Sequence, residues 1–362
     1  YAKHGEEFLR PKSIETDYEK SEVHYCSVGT ILAIMPWNFP FWQVFRFLAP
    51  NLMAGNTALL KHASNVSTCS LEIEKIVKQA SFPEGVFRSL LIDNSQVEKI
   101  IANPNIRGVT LTGSTAAGKS VAKVAGSHLK KTVLELGGSD PYIILADANI
   151  KKAAMLCAKS RLINGGQSCI AAKRFIVLEG VFDAFISELK EQMQSKIIGD
   201  PLSSQTQIGP MARFDLRDEL YEQVKKSIEL GCKCVLGGQT SRGEGAFFEP
   251  TILTDVTKEM PAYSEELFGP VAVVIKVKSI EEAVQVANET SFGLGAGIFS
   301  ENKKLAYELA SSGIDAGACF INDFVKSDPR LPFGGVKESG YGRELGSFGI
   351  YEFVNIKTIC LS

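Results

Sequence analysis

The amino-acid sequence predicts an α/β protein built on parallel sheets with helices on both faces. Short apolar runs rich in β-branched residues alternate with segments whose apolar residues recur every three or four positions. This alternation begins near residue 29, is interrupted by a glycine-rich stretch at 137–140 and then resumes. Alternating strands and helices are typical of parallel sheets, and the turn-forming interruption predicts a hinge between two domains.

The pattern before the interruption predicts strands at 29–35, 57–61 and 108–112. It predicts helices at 44–54, 67–80 and 118–126. After the interruption, the predicted strands are 142–145, 174–178 and 271–277, and the predicted helices are 150–163, 181–196 and 280–290. The segments near the two ends of the chain alternate apolar and polar residues without a core of their own. We expect them to be arms that pair with another subunit.

The composition excludes several classes of protein. Lys and Arg number 39 against 41 Asp and Glu, so the net charge of −2 gives no field that would recruit nucleic acid or an anionic membrane. No apolar run approaches the roughly 18 residues of a membrane-spanning helix. The eight cysteines are scattered and only four histidines are present, so we expect neither a metal site nor a disulfide scaffold. This cysteine usage predicts a reducing, cytoplasmic location.

One motif suggests a nucleotide triphosphatase. Residues 113–120 read Gly-Ser-Thr-Ala-Ala-Gly-Lys-Ser, which fits the phosphate-loop pattern and lies between a predicted strand and a predicted helix. A later apolar strand is followed by Asp147, as expected of a carboxylate that holds Mg²⁺. The same small residues would also let a helix N-terminus approach the pyrophosphate of a dinucleotide. These residues alone do not distinguish a nucleotide triphosphatase from a dinucleotide-binding protein.

Three polar side chains lie where they could act chemically. Asn38 stands between two prolines after the first strand, and a rigidly held amide can donate to an oxyanion. Cys169 follows a glycine-bearing loop in which a thiolate could form and attack. Glu135 is flanked by leucines, and burial there would raise its pKa towards that of a general base. Taken singly, each could instead be structural: a turn asparagine, a packed cysteine, an ion-paired glutamate.

Six motifs, taken in their order along the chain, indicate the function more specifically than any single residue does. They are Pro36-Trp37-Asn38-Phe39-Pro40, Thr112-Gly113-Ser114, Glu135-Leu136-Gly137-Gly138, Gly166-Gln167-Ser168-Cys169, Glu266-Leu267-Phe268-Gly269-Pro270 and Pro332-Phe333-Gly334-Gly335-Val336-Lys337. With these motifs the sequence resembles the aldehyde dehydrogenase superfamily over essentially its whole length. Because the N-terminal part of a typical member is absent, we expect the chain to be a fragment. The resemblance makes the triphosphatase a remote alternative.

The resemblance implies an aldehyde dehydrogenase-like fold. Its expected parts are a Rossmann-like, parallel-sheet NAD(P)-binding domain at 28–138, an α/β catalytic domain at 139–345, and oligomerisation segments at 1–27 and 346–362. A homodimer or homotetramer is implied. Cys169 is implied to be the nucleophile that forms a thiohemiacetal and then a thioester. The Asn38 amide and the Cys169 backbone N–H are implied to hold the oxyanion. Glu135 is implied to activate the hydrolytic water, which separates the chain from relatives that acylate coenzyme A.

The resemblance also implies the cofactor contacts. The matching residues are Pro36, Trp37, Lys61, Ser64, Gly113, Ser114, Leu136, Glu266 and Phe268. Ser114 matches the pyrophosphate contact, Glu266 the ligand of the nicotinamide ribose and Lys61 the ligand of the adenine ribose. Ser64 stands where members that prefer NAD often carry Glu. Because Ser does not repel a 2′-phosphate, we expect NADP to be admitted alongside NAD. No metal is expected.

The substrate is predicted from two residues. Arg46, eight residues after Asn38, matches an arginine that binds the distal carboxylate in succinate-semialdehyde dehydrogenases, and Ser327 lies in the loop that closes the pocket in those enzymes. Ile163 stands where some members carry a second arginine, and Ala171 where some carry a redox-switch cysteine. The expected substrate is succinate semialdehyde. The alternatives are a small neutral aldehyde such as lactaldehyde or glycolaldehyde, with Arg46 then forming a surface or interdomain salt bridge.

Overall fold

The structure is a computed structural model that describes residues 1–240 and 244–362. The chain folds into two compact units. Unit 1 comprises Tyr1–Leu136, Ser327–Gly334 and Gly340–Ser362, and unit 2 comprises Gly137–Lys326 and Gly335–Ser339. Each unit has its own parallel sheet, so each is described by itself.

In the described residues, the α-helices are α1 (Gly5–Phe8), α2 (Trp42–Met53), α3 (Ser67–Gln79), α4 (Val97–Ala102), α5 (Thr115–Ser127), α6 (Ile150–Leu162), α7 (Phe182–Gln194), α8 (Phe214–Glu229), α9 (Pro261–Ser264), α10 (Ile280–Asn288), α11 (Lys303–Glu308) and α12 (Gly346–Tyr351). The β-strands are β1 (Lys12–Ser13), β2 (Lys20–Ser27), β3 (Thr30–Met35), β4 (Thr57–His62), β5 (Phe87–Ser89), β6 (Ile106–Thr112), β7 (Lys131–Glu135), β8 (Pro141–Ile144), β9 (Arg174–Leu178), β10 (Lys233–Leu236), β11 (Thr251–Thr254), β12 (Val271–Val277), β13 (Phe292–Gly293), β14 (Gly295–Phe299), β15 (Ala318–Ile321), β16 (Val336–Lys337), β17 (Gly340–Tyr341) and β18 (Val354–Leu361). All the strands and helices predicted from the sequence are present.

The main sheet of unit 1 has six strands in the order β17-β7-β6-β3-β4-β5, and all neighbours are parallel except the β17–β7 pair. Strand β3 is buried on both faces. Ile31 and Ala33 pack with helices α2 and α3, whereas Leu32 packs with α4 and α5. This explains why β3 reads as a continuous apolar run, since both of its faces are covered by helices.

Unit 2 contains a seven-stranded sheet in the order β10-β11-β12-β9-β8-β14-β15, antiparallel only between β10 and β11. Along β9, Phe175 and Val177 pack with α6 and α7, and Ile176 packs with α8 and α10. The alternation places one apolar core on each face of the sheet. The central strands are therefore held rigidly, which suits them to position loops at their ends.

A small sheet in unit 1 joins segments from the two ends of the chain. Its order is β1-β2-β18, and β18 runs antiparallel to β2 from the Val354↔Ser27 pair to the Leu361↔Lys20 pair. Parts of the segments 1–27 and 346–362, which we expected to be arms that pair with another subunit, thus share one sheet within this chain. The expected catalytic domain 139–345 also differs from unit 2, because residues 327–334 and 340–345 belong to unit 1. Pairing of β17 with β7 holds that part of the chain in unit 1.

The start of α5 differs from the sequence prediction. We predicted a helix over 118–126, but α5 begins at Thr115. The Ser114 hydroxyl caps this helix by accepting from the Ala117 N–H at 3.3 Å. Among the described residues, no helix is both long and apolar enough to cross a membrane.

Candidate functional site

The predicted cofactor residues of unit 1 follow neighbouring strands. Pro36 and Trp37 follow β3, Ser114 follows β6 and Leu136 follows β7, while Ser64 lies just beyond β4. These four strands are adjacent and parallel in the sheet, so their carboxyl ends meet at one edge. This edge is where open α/β sheets bind their ligands.

The structure excludes the phosphate-loop reading of residues 113–120. In a phosphate loop these residues wrap around the anion, whereas here Thr115 to Ser120 form the first turns of α5. A Cβ atom on Gly118 would lie 2.5 Å from Leu136 Cδ2, so this glycine serves close packing. The Asp147 carboxylate accepts from Ser300 Oγ at 2.9 Å and from the Asn302 N–H at 2.8 Å. These bonds hold it against the segment that follows β14, so its role is structural.

Lys61 and Ser64 lie at the carboxyl end of β4. Lys61 is buried and donates through Nζ to Asn94 Oδ1 at 2.6 Å. Burial lowers the pKa of Lys61, and the nearby Asp93 carboxylate opposes this effect. Ser64 is exposed and begins a 3₁₀ turn, Ser64–Val66. The side chains here supply a cation and a hydroxyl, a set that fits a ribose with or without a 2′-phosphate.

The Asn38 amide is oriented by a residue that the sequence analysis missed. Gln43, at the start of α2, donates through Nε2 to Asn38 Oδ1 at 3.1 Å. Because the amide oxygen accepts this bond, the amide nitrogen is turned to the other side as the donor. Gln43 lies one turn and a half after Asn38 in a proline-fixed segment, and this spacing is the only sequence signal for its role.

Glu135 ends β7 as a buried carboxylate, 2% exposed. Among the described residues, neither of its carboxylate oxygens has a hydrogen-bond partner. Burial raises the pKa of Glu135 well above its usual value and the Glu344 carboxylate raises it further, while Arg46 and Arg343 oppose this shift. A carboxyl group in this environment exchanges its proton at a higher pH than a solvated glutamate, as general-base catalysis requires.

Gly334 leaves the space beside the Glu135 carboxylate. A Cβ atom at this position would lie 2.8 Å from Glu135 Oε1 and 2.7 Å from the Gly342 carbonyl oxygen. Both distances are shorter than van der Waals contact allows. The predicted glycine motif at 334 therefore keeps room for the carboxylate, and it does so within unit 1.

Arg46 has an internal partner. It is buried on α2 and forms an ion pair with Glu344, which is also buried. Its guanidinium carbon lies 4.6 Å from the centre of the Phe333 ring. Arg46 therefore forms a salt bridge, as the alternative expected, but the pair is buried inside unit 1 and does not lie on the surface. Ser327, the other predicted substrate residue, has a buried hydroxyl with no hydrogen-bond partner among the described residues.

In unit 2, Cys169 lies in a sharply turned loop. Asn164, Gly165 and Gly166 have φ values of 52°, 63° and 79°, so the chain reverses through three left-handed residues after α6. The Ser168 carbonyl then accepts from the Ala171 N–H at 3.2 Å, which closes a turn with Cys169 as its second residue. The Cys169 residue is half-buried. This is the partly exposed loop thiol predicted from the sequence.

Lys173 organises the Cys169 turn and was missed by the sequence analysis. It is 1% exposed, and its Nζ donates to the carbonyl oxygens of Ser168, Cys169 and Ala171 at 3.1, 3.0 and 3.2 Å. Burial lowers the pKa of Lys173, while Glu266 favours the ammonium form. A lysine before an arginine in an otherwise apolar run resembles a surface pair, so no local pattern indicates this role.

Glu266 and Phe268 lie half-buried in the segment that leads into β12. The Glu266 carboxylate accepts from the Gly138 N–H at 3.1 Å and lies 3.4 Å from Lys173 Nζ. A Cβ atom on Gly137 would lie 2.5 Å from Glu266 Oε2, which explains that glycine of the motif. Among residues 1–240 and 244–362, no three His, Cys, Asp or Glu side chains meet in a way that could hold a metal ion.

Comparisons with known proteins show the family. Residues 1–359 match the profile described as the aldehyde dehydrogenase family. The chain is 50% identical over 362 residues to "Probable succinate-semialdehyde dehydrogenase [NADP(+)]" of Synechocystis sp., covering all of this chain and 80% of that protein. It is 46% identical over 359 residues to "Succinate semialdehyde dehydrogenase [NAD(P)+] Sad" of Escherichia coli, covering 99% of this chain and 78% of that protein.

A solved structure gives the same result. The crystal structure of succinic semialdehyde dehydrogenase from Streptococcus pyogenes in complex with NADP+ superimposes with a TM-score of 0.97 at 42% identity. The match covers all of this chain and 79% of that one. The sequence, the fold and the site residues therefore lead to one conclusion: this chain belongs to the aldehyde dehydrogenase family.

Proposed function

We propose that the chain oxidises succinate semialdehyde to succinate with NAD or NADP through a thioester on Cys169. The observation that carries this proposal is the state of Glu135, a buried carboxylate whose two oxygens have no hydrogen-bond partner among the described residues. Such a group is suited to take a proton from water. The names of the three relatives described above, each a succinate-semialdehyde dehydrogenase, support the choice of substrate.

In the first half of the reaction, the Cys169 thiolate attacks the aldehyde carbon and forms a C–S bond. The carbonyl oxygen becomes an oxyanion, which the Asn38 amide and the Cys169 backbone N–H stabilise by donating to it. The C–H bond then breaks and leaves a thioester on the sulfur. The bound nicotinamide supplies the acceptor for the two electrons and the hydrogen that leave the carbon.

In the second half, Glu135 takes a proton from a water molecule. The water oxygen attacks the thioester carbon, and the C–S bond breaks to return the thiolate and release the carboxylic acid. Glu135 suits this step because burial and the Glu344 carboxylate raise its pKa. A solvated glutamate would be a weaker base.

The residues that would contact the cofactor are those at the carboxyl ends of the unit 1 strands, and Glu266, as the family resemblance implies. Ser114 and the start of α5 fit a pyrophosphate, and Glu266 fits a ribose hydroxyl. Lys61 is held in place by Asn94, and the exposed Ser64 brings no carboxylate to repel a 2′-phosphate. Both NAD and NADP are therefore expected to serve.

The distal carboxylate of the substrate would be bound by Arg46 and by the Ser327 hydroxyl. The Ser327 hydroxyl lacks a partner among the described residues, which supports this role. Arg46 is already neutralised by Glu344, so it would have to share its charge between two carboxylates. That pairing favours the second candidate, a dehydrogenase of a small neutral aldehyde, in which Arg46 has only a structural role.

A substrate comparison tests the proposal. Initial rates of nicotinamide reduction would be measured with succinate semialdehyde and with butyraldehyde, a neutral aldehyde of the same length, using NAD and NADP separately. We expect succinate semialdehyde to have the higher kcat/KM and Cys169→Ala to abolish the activity. Equal or lower kcat/KM for succinate semialdehyde would support the neutral-aldehyde candidate.

The role of Arg46 is tested in the double variant Arg46→Ala/Glu344→Gln, because the single variant would leave Glu344 buried without its cation. A charge-assisted hydrogen bond contributes about 1.5–3 kcal/mol, so we expect KM for succinate semialdehyde to rise about tenfold or more. KM for butyraldehyde should change little. The Glu344→Gln variant is the control, and a parallel rise for both aldehydes would contradict substrate binding by Arg46.

We also propose that the chain forms a homodimer or homotetramer through the small sheet of unit 1. Strand β18 is the outer strand of this sheet, and Ile356, Ile359 and Leu361 are exposed along it. Apolar side chains on an edge strand favour pairing with another chain. Light scattering should show an oligomer that Ile356→Asp/Ile359→Asp shifts towards the monomer. An unchanged mass in that variant would contradict the proposal.

A further inference from the structure

We infer that Lys173 is a positioning residue that aims the Cys169 backbone N–H at the substrate oxyanion. The inference rests on the proposed function and concerns a residue outside the predicted site. It depends on contacts that all lie within unit 2.

The Lys173 ammonium has a complete set of acceptors. Its Nζ donates to the carbonyl oxygens of Ser168, Cys169 and Ala171, all at 3.0–3.2 Å. An ammonium group has three N–H donors, so each one has a backbone carbonyl. The three carbonyls of the nucleophile turn are thus drawn to one point.

The direction of the Cys169 N–H follows from the geometry of the peptide bond. The Ser168 carbonyl and the Cys169 N–H belong to the same planar trans peptide, in which C=O and N–H point in opposite directions. Because the Ser168 carbonyl points at Lys173, the Cys169 N–H points away from it. The cation therefore fixes the orientation of the donor proposed for the oxyanion.

The charge of Lys173 also strengthens that donor. A charge-assisted bond to a carbonyl oxygen polarises the peptide, and hydrogen bonds in such a chain reinforce one another. Catalytic donors act best when their orientation is fixed before charge develops, because no reorganisation is then needed. Lys173 supplies both the orientation and the polarisation.

The backbone of Lys173 is itself anchored. The N–H groups of Lys173 and Arg174 both donate to the Asp140 carbonyl at 3.2 Å. A Cβ atom on Gly138 would lie 2.7 Å from the Cys169 carbonyl oxygen, so the segment that leads into β8 packs directly against the turn. The ammonium is therefore held at a fixed place relative to the sheet of unit 2.

One other route must be separated from this one. Lys173 Nζ lies 3.4 Å from Glu266 Oε1, so the lysine could act by placing the proposed ribose ligand. That route would weaken cofactor binding. Orientation of the Cys169 N–H would instead lower the rate of oxidation at saturating cofactor.

The test compares Lys173→Met with Lys173→Arg and with Lys151→Met, an exposed lysine on α6 of the same unit. Two rates are measured: aldehyde oxidation at saturating cofactor, and alkylation of Cys169 by iodoacetamide at alkaline pH. Alkylation displaces iodide at a saturated carbon and forms no oxyanion. It therefore reports whether the thiolate is intact and accessible without needing the N–H donor.

We expect Lys173→Met to lower kcat/KM for the aldehyde about 10- to 100-fold, somewhat less than loss of an oxyanion donor. The alkylation rate and KM for the cofactor should stay within about threefold of the wild type, a factor worth under 1 kcal/mol. Lys173→Arg, which keeps a cation and its N–H donors, should recover part of the oxidation rate. Lys151→Met should match the wild type in both rates.

Three results would overturn the inference. Equal losses of alkylation and oxidation would show a merely structural role. If Glu266→Gln lowers the oxidation rate equally and the double variant Lys173→Met/Glu266→Gln loses no more, Lys173 acts through Glu266. Unchanged oxidation in Lys173→Met would remove the role altogether.

If Lys173→Met does not fold, the same criteria are applied to Lys173→Gln, which keeps two N–H donors. Failure of the proposed function would appear separately, as a wild-type protein that reduces no nicotinamide with any aldehyde.

Discussion

Glu135 in unit 1 and Lys173 in unit 2 are both deeply buried charged residues, but their surroundings are opposite. Lys173 has three carbonyl acceptors and the Glu266 carboxylate beside it. Glu135 has no hydrogen-bond partner among the described residues and a second carboxyl group, Glu344, nearby. A fully partnered buried charge holds its neighbours in one arrangement, whereas an unpartnered carboxyl group is free to take up and release a proton. The first suits positioning, and the second suits catalysis.

The largest effect is expected from Glu135→Gln. An amide cannot accept the proton of the hydrolytic water, so steady-state turnover should fall about 10²- to 10⁴-fold. Formation of the thioester does not need this base, so a rapid burst of nicotinamide reduction, one per active Cys169, should remain. Stopped-flow absorbance separates the two phases. Loss of the burst, or turnover close to the wild-type rate, would contradict the role of Glu135.

Lys173→Met should cost the protein stability. The variant would lose the hydrogen bonds of the ammonium to three backbone carbonyls, and a hydrogen bond to a charged group typically contributes about 1.5–3 kcal/mol. The free energy of unfolding of the protein would be measured by urea denaturation. Lys151→Met is the control, with an expected change within about 0.5 kcal/mol. If both variants lose equally little, the Lys173 ammonium does not hold the Cys169 turn.

Gly334→Ala tests the space beside Glu135. The added Cβ would lie 2.8 Å from Glu135 Oε1, and overpacking of this kind costs about 1–3 kcal/mol. Hydrolysis of the thioester should slow more than its formation, because the carboxylate must move. Gly126→Ala is the matched control, since nothing lies within 4 Å of a Cβ built at this position in α5. A stable and fully active Gly334→Ala variant would show that the gap is not needed.

The smallest effect concerns the pH dependence of stability. The pKa of Glu135 in the folded chain is raised above its unfolded value, mainly by burial. Its contribution to stability is therefore complete below the unfolded pKa and is lost as the pH rises through the folded pKa. Because Gln does not ionise, the melting temperature of Glu135→Gln should gain on the wild type as the pH rises. Parallel melting curves across the pH range would indicate that Glu135 is not perturbed.

The sequence was sufficient to predict six strands and six helices, because these elements bury continuous or periodic apolar runs. It also predicted Glu135 and Cys169, since an acid among leucines and a cysteine after glycines are unusual local contexts. A rigidly held amide likewise pointed to Asn38. The resemblance added the roles of Glu266 and the other cofactor residues, and the roles of all these residues stay predictions. Both the residue patterns and the family resemblance depend on short segments of the sequence.

The missed features depend on partners that are distant along the chain. Arg46 on α2 meets Glu344 only when β17 pairs with β7, and no local pattern announces that pairing. The pairing of the two ends of the chain with each other was missed, because β2 and β18 are recognisable as partners only in three dimensions. Lys173 looked solvated because its acceptors are backbone carbonyls, which have no signature in the sequence.

The contact between Gly166 and Gly269 limits how this protein can be re-engineered. A Cβ atom on Gly166 would lie 2.2 Å from the carbonyl carbon and oxygen of Gly269, and Gly166 also has a left-handed φ of 79°. Two loops of unit 2 thus touch through bare main chain. A mutant library aimed at new aldehydes should keep both glycines fixed and vary the outward-facing neighbours, since randomising either glycine would fill the library with misfolded clones.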